Sequence, residues 1–424
     1  GGPQPLYHLR CSVRLAGPQR NRAIRAARTM LRLPAAILLA LTPARATRLR
    51  LVSFNIHGWR DADHADRLSD LIKAIAALRP DVVCLNEVLF PFVGPPKGDP
   101  YWEAVRERRG YLHPPPVGSR PDERDEDNYL RRLAAALGLP HICFGAAVGT
   151  DPEPRPFARC FFAQYPFGNA ILSRFPLSDV RHSLLSVSPA DLTCGDQPRT
   201  DSDLEHRALT TARLRLPGGG SLGVAVTHLD HKAEALRERQ VAAAVERCAG
   251  AFGSLPHVLC GDLNSFSRGD MSARQWSEIC ALYESRSWGS PRPDSLVRAV
   301  LHAAGYCDSF GAILRPAVLP NVLPPPTCWT NTRLDYVFLS QAAAAGAVRV
   351  TAHKTVRDCD VSDHFPVLCE MDISRDPVFT LLERKDAELS ELHAELSELR
   401  AKVKDLEAKK LKEWSLHLKD SETD

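Results

Sequence analysis

Four carboxylates (Glu87, Asp262, Asp335, Asp363), two amides (Asn55, Asn264) and two imidazoles (His228, His364) stand just beyond or just before short apolar runs. An oxygen-rich set of this kind suits a hard divalent cation, with phosphate oxygens as its remaining ligands. Glu87 is the leading metal ligand, because the apolar run DVVCL delivers it; an edge carboxylate in a salt bridge is the alternative. In GDLNSF, Asp262 can position or deprotonate a water and Asn264 can hold a phosphate oxygen. Asp and Asn also favour turns on their own account. Asp335 and His364 suggest a pair in which the carboxylate orients the imidazole and favours its protonated form, suited to charge developing at phosphorus. A lone histidine is more often structural, so His364 takes its weight from its context, Ser362-Asp363-His364-Phe365-Pro366-Val367.

The elements that must position these groups are short. Strand-like runs cover residues 50–56, 81–85, 222–227, 257–259, 336–339 and 366–371, and residues 65–78 carry a helical period. Alternation of the two kinds argues for α/β layering. Four runs deliver Asn55, Glu87, His228 and the Asp262/Asn264 pair at their C-terminal ends, while two later runs begin just after Asp335 and Asp363-His364. If the last two run antiparallel to the first four, every polar end meets on one rim of a mixed sheet. Long connections at residues 112–128, 186–204 and 316–328 are functional rims or disordered segments.

Composition narrows the partners. The chain has 424 residues, 44% hydrophobic and 25% charged, within the globular range. The formal net charge of +3 is unevenly spread: residues 1–46 hold eight Arg and no acid, residues 375–424 come to −3, and the middle holds 36 basic against 38 acidic residues. A protein gripping long nucleic acid usually shows a clustered positive footprint, because counterion release drives that affinity. None is evident between the ends. The twelve cysteines include no C-x-x-C pair. Cys84 and Cys260 lie in apolar runs, so most cysteines read as small core hydrophobes rather than as a disulfide framework or a zinc site.

Three readings compete for the N-terminal segment. It is Arg-rich and Lys-free up to the first acid, Asp61, as an organellar transit peptide is. From Met30, however, Arg32, the apolar residues 33–41 and Ala44-Arg45-Ala46 follow the order of a secretory signal. A disordered basic arm, on an otherwise soluble intracellular protein, is the third reading. The apolar stretch is far shorter than the ~20 residues of a spanning helix, so no membrane span is expected. Near the other end, Leu382, Leu389, Leu392, Leu396, Leu399, Val403 and Leu406 recur largely at steps of three and four. This seam suits self-association through a coiled coil over residues 382–406, or a lone amphipathic helix.

Seven segments, VSFNIHG (52–58), CLNEV (84–88), FGNAILSRFPL (167–177), VTHLDH (226–231), CGDLNSF (260–266), RLDYVFLS (333–340) and VSDHFPV (361–367), together resemble the endonuclease/exonuclease/phosphatase superfamily, the deoxyribonuclease I-like fold. The likeness spans about residues 48–373. It implies a four-layer α/β sandwich, two mixed β-sheets flanked by helices, over residues 47–374, between the basic segment 1–46 and a C-terminal coiled-coil helix in 375–424. It also implies Mg²⁺-dependent phosphoester hydrolysis, with Mn²⁺ as a substitute. Carried over by position, Asn55, Glu87 and Asp363 match metal-side residues, and His228 matches the histidine that touches the scissile phosphate. Asp262 and Asn264 match the pair near the attacking water, and Asp335 with His364 match the Asp–His dyad. Asn169 matches a substrate-side rim residue or a loop holder. Asn86 stands where the family commonly has Gln. VTHLDH places the chain nearer the nuclease, deadenylase and sphingomyelinase branches than the abasic-site endonucleases. A phosphodiesterase or nuclease is the first expectation; a sphingomyelinase-like or inositol-phosphate hydrolase is the second, and a coiled-coil scaffold with an inactive domain is the third.

Overall fold

The computed structural model of the 424-residue chain describes residues 46–59, 66–92, 127–148, 166–185, 193–194, 197–198, 206–217, 219–231, 233–313 and 322–374. The basic N-terminal segment and the heptad seam at 382–406 lie outside the described residues, as does most of the loops at 112–128 and 186–204. Among the described residues, no helix is long and apolar enough to cross a membrane.

In chain order the elements are β1 (Thr47–Asn55), α1 (Leu68–Ala77), β2 (Val82–Leu89), α2 (Tyr129–Leu137), β3 (His141–Val148), β4 (Phe167–Ser173) and β5 (Leu177–Leu185). A two-residue pair follows, β6 (Thr193–Cys194) with β7 (Gln197–Pro198), then β8 (Arg207–Arg215), β9 (Ser221–Thr227), α3 (Glu234–Phe252) and β10 (His257–Asp262). The chain goes on through α4 (Ala273–Ser285), α5 (Leu296–Ala303), β11 (Cys307–Asp308), α6 (Ser309–Ile313), β12 (Asp335–Leu339), β13 (Val348–Thr355) and β14 (Val367–Ile373). Two six-stranded sheets result, with orders β13-β14-β1-β2-β4-β3 and β11-β12-β10-β9-β8-β5. Both are mixed. β1 runs parallel to β2 and β9 parallel to β10, while β14 is antiparallel to β1 and β12 antiparallel to β10. The two late strands therefore do run against the four early ones.

Strand alternation builds the layers, since successive side chains leave opposite faces. Leu49 and Leu51 of β1, Val82 and Cys84 of β2, Val224 and Val226 of β9, Val258 and Cys260 of β10, and Val337 and Leu339 of β12 share one core between the sheets. Their neighbours face outward. Val52, Phe54, Val83 and Leu85 pack against Leu71 and Ile75 of α1 and Leu130 and Leu133 of α2. On the far side Ala225, Leu259, Tyr336 and Phe338 pack against Val241, Ala244 and Cys248 of α3 and Val297 and Leu301 of α5. Each fully buried aliphatic side chain contributes roughly 1.5–3 kcal/mol, so all three cores hold the layers in place. The arrangement is a four-layer sandwich of helices, sheet, sheet and helices. Among the described residues nine cysteines are free, Cys84, Cys143, Cys260 and Cys369 within the inter-sheet core.

Candidate active site

Continue the inward-facing positions of each strand by one step of two and the residues turn polar. Leu49 and Leu51 lead through buried Ser53 to Asn55; Val82 and Cys84 lead to Asn86; Val224 and Val226 lead to His228; Val258 and Cys260 lead to Asp262. Asp335 precedes Val337 on the same face of β12, and Asn169 precedes Ile171 on that of β4. The polar cluster is thus one end of the inter-sheet core itself.

Glu87 breaks this rule, since by alternation it faces the helices. The β2–β4 register jumps from Leu85↔Ala170 to Val88↔Gly168, so Asn86 and Glu87 together oppose Asn169. Glu87 has φ 57, the left-handed region that non-glycine residues seldom adopt. A bulge of this kind re-aims a side chain. Here it allows Asn86 to stay between the sheets and the Glu87 carboxylate to reach the cavity. Asn264, with φ 49, occupies a second such position just past β10.

The groups meet closely. Asn55 Nδ2 donates to Glu87 Oε1 and to Asp262 Oδ2, both at 3.0 Å, and Asn55 Oδ1 accepts from His57 N at 3.1 Å. Asp262 Oδ1 accepts from Asn264 N at 2.9 Å. Asn264 Nδ2 reaches Leu229 O at 3.0 Å and His228 Nε2 at 2.9 Å. An amide nitrogen only donates, so His228 Nε2 accepts and its proton sits on Nδ1, 4.0 Å from Glu87 Oε1. His364 Nδ1 lies 2.8 Å from Asp335 Oδ2, and its Nε2 lies 3.5 Å from Asp262 Oδ2. Ser362 Oγ donates to Asn55 O at 2.8 Å, which ties the loop bearing Asp363 and His364 to the end of β1.

Electrostatics follow from burial and from these partners. Burial pushes the Glu87 carboxyl up, as does Asp363, against the pull of His57, Asn55 and His364. Burial pushes Asp262 up to about 7, with Asp335 adding to the effect while His364 and its hydrogen bonds resist it. His228 lies well below the usual imidazole range, through burial first and then the positive field of Arg207 and the neighbouring imidazoles. That agrees with its accepting role. His364 goes the other way: burial opposes protonation, but the Asp335 and Asp262 carboxylates outweigh it and hold the imidazole well above its ordinary value.

Asn86 and Asn169 lie behind this cluster. Asn86 Nδ2 donates to Asn169 Oδ1 at 2.8 Å and to Thr227 O at 3.0 Å, while its Oδ1 accepts from Asp262 N at 2.9 Å. Asn169 Nδ2 donates to Ala208 O at 2.9 Å. Both amides are buried, at 0% and 2% exposed, and they form a clasp between the sheets directly beneath Asp262. Asn169 is not among the cavity-lining residues, so the structure puts it behind the site rather than at a substrate-facing rim. Gly261, with φ 132, is needed at the same level, because a Cβ there would meet Thr227 O at 2.0 Å.

A cavity of about 390 Å³ opens over the cluster, lined by Glu87, His228, Asp262, Asn264, Asp363 and His364. Asp335 lies behind His364 and does not line it. The opposite wall is apolar. It comes from Phe266, Ile279, Leu282, Tyr283 and Trp288, held by a satellite core around α4, whose start is fixed by a Ser272/Gln275 capping box. Arg207, His231, Arg286 and Trp329 are also among the lining residues. Sequence reasoning missed these. The available signal was slight: Arg207 starts a strand antiparallel to β9 and therefore begins near the end where His228 emerges.

Two oxygen sets could hold a cation. Asp262, Asp335 and His364 place one ligand atom each within 4.8 Å of one another. Asp335 Oδ2 and His364 Nδ1 are hydrogen-bonded to each other, however, which makes that set a dyad facing a carboxylate. Glu87 and Asp363 line the cavity and offer hard oxygen donors, with Asp262 joined to Glu87 through the Asn55 amide. That set fits a hard divalent cation.

A fold of two helix-flanked mixed sheets, with buried acids, amides and a charged Asp–His pair at one end of their interface, defines a class of phosphoester-handling α/β sandwich. The chain belongs to the endonuclease/exonuclease/phosphatase family, whose model matches residues 52–364. Its members are nucleases, phosphatases and phosphodiesterases, hydrolases that act on phosphoesters. The fold is similar to that of an endonuclease/exonuclease/phosphatase from Beutenbergia cavernae DSM 12333, at 22% identity and TM-score 0.52, over 79% of this chain and 73% of that one. It is also similar to the human Nocturnin catalytic domain with bound sulfate anion, at 16% identity and TM-score 0.47, over 78% of this chain and 97% of that one. A search of curated protein sequences finds no significant match.

Proposed function

We propose that the chain is a divalent-metal-dependent phosphodiester hydrolase, with Mg²⁺ as the working ion and Mn²⁺ as a substitute. The observation that carries this reading is the bonding of Asn55 Nδ2 to Glu87 and Asp262 at once, beside a buried Asp335–His364 pair. It gathers side chains separated by some three hundred positions around one cavity. Glu87 and Asp363 would hold the cation; Asn55 holds Glu87 in place and offers its own oxygen only by releasing His57 N. A cation bound there supplies Lewis-acid polarisation of a phosphoryl oxygen and offsets the negative charge of the acids.

The chain's own groups supply the rest. Asp262, pushed up to about 7, is suited to accept a proton from the attacking water. His364, kept protonated by Asp335, donates its Nε2 proton toward charge developing at phosphorus. His228 Nδ1–H orients a phosphoryl oxygen, and Asn264, whose amide hydrogens go to His228 Nε2 and Leu229 O, holds that ring in place. A hydrogen-bonded, already oriented donor set of this kind lowers a barrier without reorganisation at the moment of reaction.

The test is hydrolysis by the purified full chain in Mg²⁺, Mn²⁺ or EDTA, over single-stranded DNA, RNA, abasic DNA, sphingomyelin, inositol phosphates and bis-p-nitrophenyl phosphate. Turnover with metal, lost in EDTA and in Glu87→Ala and His364→Ala, is the expected result. No turnover of any phosphoester with either ion would sink the reading and favour a non-catalytic scaffold.

A further inference from the structure

The apolar side of the cavity takes no part in that chemistry. Trp329 belongs to it, lining the cavity while remaining 57% exposed. The residue sits on a tight turn, in which Thr327 N donates to Thr332 O at 2.8 Å and Asn331 N donates to Cys328 O at 3.0 Å. Asn331 takes the left-handed φ of 61 that the turn requires. Cys328 Sγ lies 2.7 Å from Thr330 Oγ1, which lies 2.7 Å from Thr332 Oγ1, so the neighbouring side chains bond to one another and the turn is held without the indole. Two further hydrogen bonds lace it to the segment bearing Asp363 and His364: Trp329 N donates to Asp363 O at 2.9 Å, and Phe365 N donates to Thr327 O at 2.7 Å. Gln275 Nε2 of α4 donates to Asn331 O at 3.3 Å, which ties the turn to the helix of the opposite wall.

On that wall the rings are engaged with one another. Phe266 stands edge-on to Tyr283 with centroids 6.1 Å apart, Tyr283 stands edge-on to Trp288 at 5.5 Å, and Arg286 lies over Trp288 at 5.5 Å. Trp329 has neither a ring nor a cation against it among the described residues, so it presents an open indole face on a fixed backbone beside the acid on the metal side. The lining as a whole is aromatic, with five Phe, Tyr or Trp side chains against three Ile or Leu. An alkyl chain gains only the area it buries on such a surface, whereas a flat ring gains a stacking contribution as well. A cavity of about 390 Å³ holds a phosphate and a ring system of modest size.

We propose that Trp329 sets the specificity of this site by stacking a flat aromatic ring borne on the alcohol that esterifies the reacting phosphate, so that the substrate class is a nucleoside or aryl phosphoester and not a lipid or polyol one. This rests on the hydrolase reading for the phosphate only. Nucleobases and aryl groups share the required flat π-face, and the experiment has an arm for each.

The experiment is calorimetric titration of the full chain carrying His364→Ala, in Mg²⁺, with adenosine 5′-monophosphate against ribose 5-phosphate and with phenyl phosphate against cyclohexyl phosphate. The second pair matches ring size and changes only flatness. In at least one pair the ester with the flat ring binds about fivefold or more tightly than its partner, the size expected for one stacked base; the pair that shows it names the source of the ring. Adding Trp329→Ala removes that preference, and adding Trp329→Phe, which keeps a smaller face, leaves part of it. Equal affinities within both pairs overturn the proposal, as does the absence of measurable binding by both flat esters, and neither comparison needs a change at Trp329. A preference that survives Trp329→Ala, or a Trp329→Ala variant that weakens both members of a pair by the same factor, also overturns it. A wild-type chain that hydrolyses nothing, while the His364→Ala chain keeps a ring preference that depends on Trp329, loses the hydrolase reading and retains the stacking platform; the reverse pattern loses the platform alone.

Discussion

Truncating Asn86 to alanine tests whether the clasp between the sheets holds the active site together. The side chain is fully buried and makes three hydrogen bonds, to Asn169 Oδ1, to Thr227 O and from Asp262 N. Asn86→Ala strips these groups of their partner, where water cannot replace it. A buried polar group left unpaired costs roughly 1–3 kcal/mol. Counting Asn169 Oδ1 and Asp262 N alone, the loss is about 4 kcal/mol, a large share of the ~5–15 kcal/mol that holds a domain folded. For a domain of this size that lowers the melting temperature by about 6 °C. The assay is thermal unfolding followed by circular dichroism, with Asn169→Ala and the double variant alongside. Because each single change orphans the other amide, the double variant should lose less than the sum of the two. A melting temperature within about 2 °C of wild type, or strictly additive losses, would refute the reasoning.

Two more outcomes follow. Asp335→Asn keeps the shape of the side chain but removes the charge that holds His364 protonated 2.8 Å away, so kcat should fall by about 10²–10⁴-fold with the circular dichroism spectrum unchanged; a variant with near wild-type kcat contradicts the dyad. His353, bonded to Ser309 Oγ at 2.9 Å, is held down to about 4 by burial and by the charge of Arg333. In the unfolded chain its value returns to ~6.5, so the unfolded state binds more protons between those limits. The stability it confers is complete above about pH 6.5 and is lost as pH falls through about 4, a swing of about 3 kcal/mol. Urea midpoints at about pH 7 and about pH 4.5 should therefore diverge less in His353→Gln than in wild type; equal divergence rules out the assignment.

Much of the site was legible because it continues a pattern. His228 and Asp262 each sit two residues beyond an inward-facing apolar side chain, and Asn55 four beyond Leu51, so the period that marks a half-buried strand also says which way the polar group points. Glu87 shows where that reading stops. The sequence suggests a strand ending at Leu85, whereas β2 runs to Leu89, because a bulge at Asn86–Glu87 lets pairing resume. Nothing in the residue types marks the slip, which depends on what β4 offers opposite. β3, β4, β5, β8 and β13 were not foreseen as strands. The motif leaves Asn169 as a rim residue or a loop holder, whereas its amide bonds to Asn86 and Ala208 between the sheets. The apolar wall was invisible for a different reason: Phe266, Tyr283, Trp288 and Trp329 come from separate loops and a helix, and only tertiary packing brings them to one cavity.

The site's unusual electrostatics follow from its position at the end of the core. Asn55, Asp262 and Asp335 occupy the same inter-sheet layer as Leu51, Cys260 and Val337, so they share its low polarizability. In that setting an isolated carboxylate is costly, so Asp262 is held by several donors and Asp335 by the charged His364 ring. Asp262 illustrates the balance. It accepts from Asn55 and Asn264 and faces His364, yet burial still pushes it up to about 7. Exposing the rim to solvent would relax Asp262 toward an ordinary carboxylate and His228 toward an ordinary imidazole, removing the difference in basicity on which the proposed proton transfers depend. The clasp of Asn86 and Asn169 therefore acts on chemistry as well as stability, because it closes the sheets at the level where the core becomes the active site.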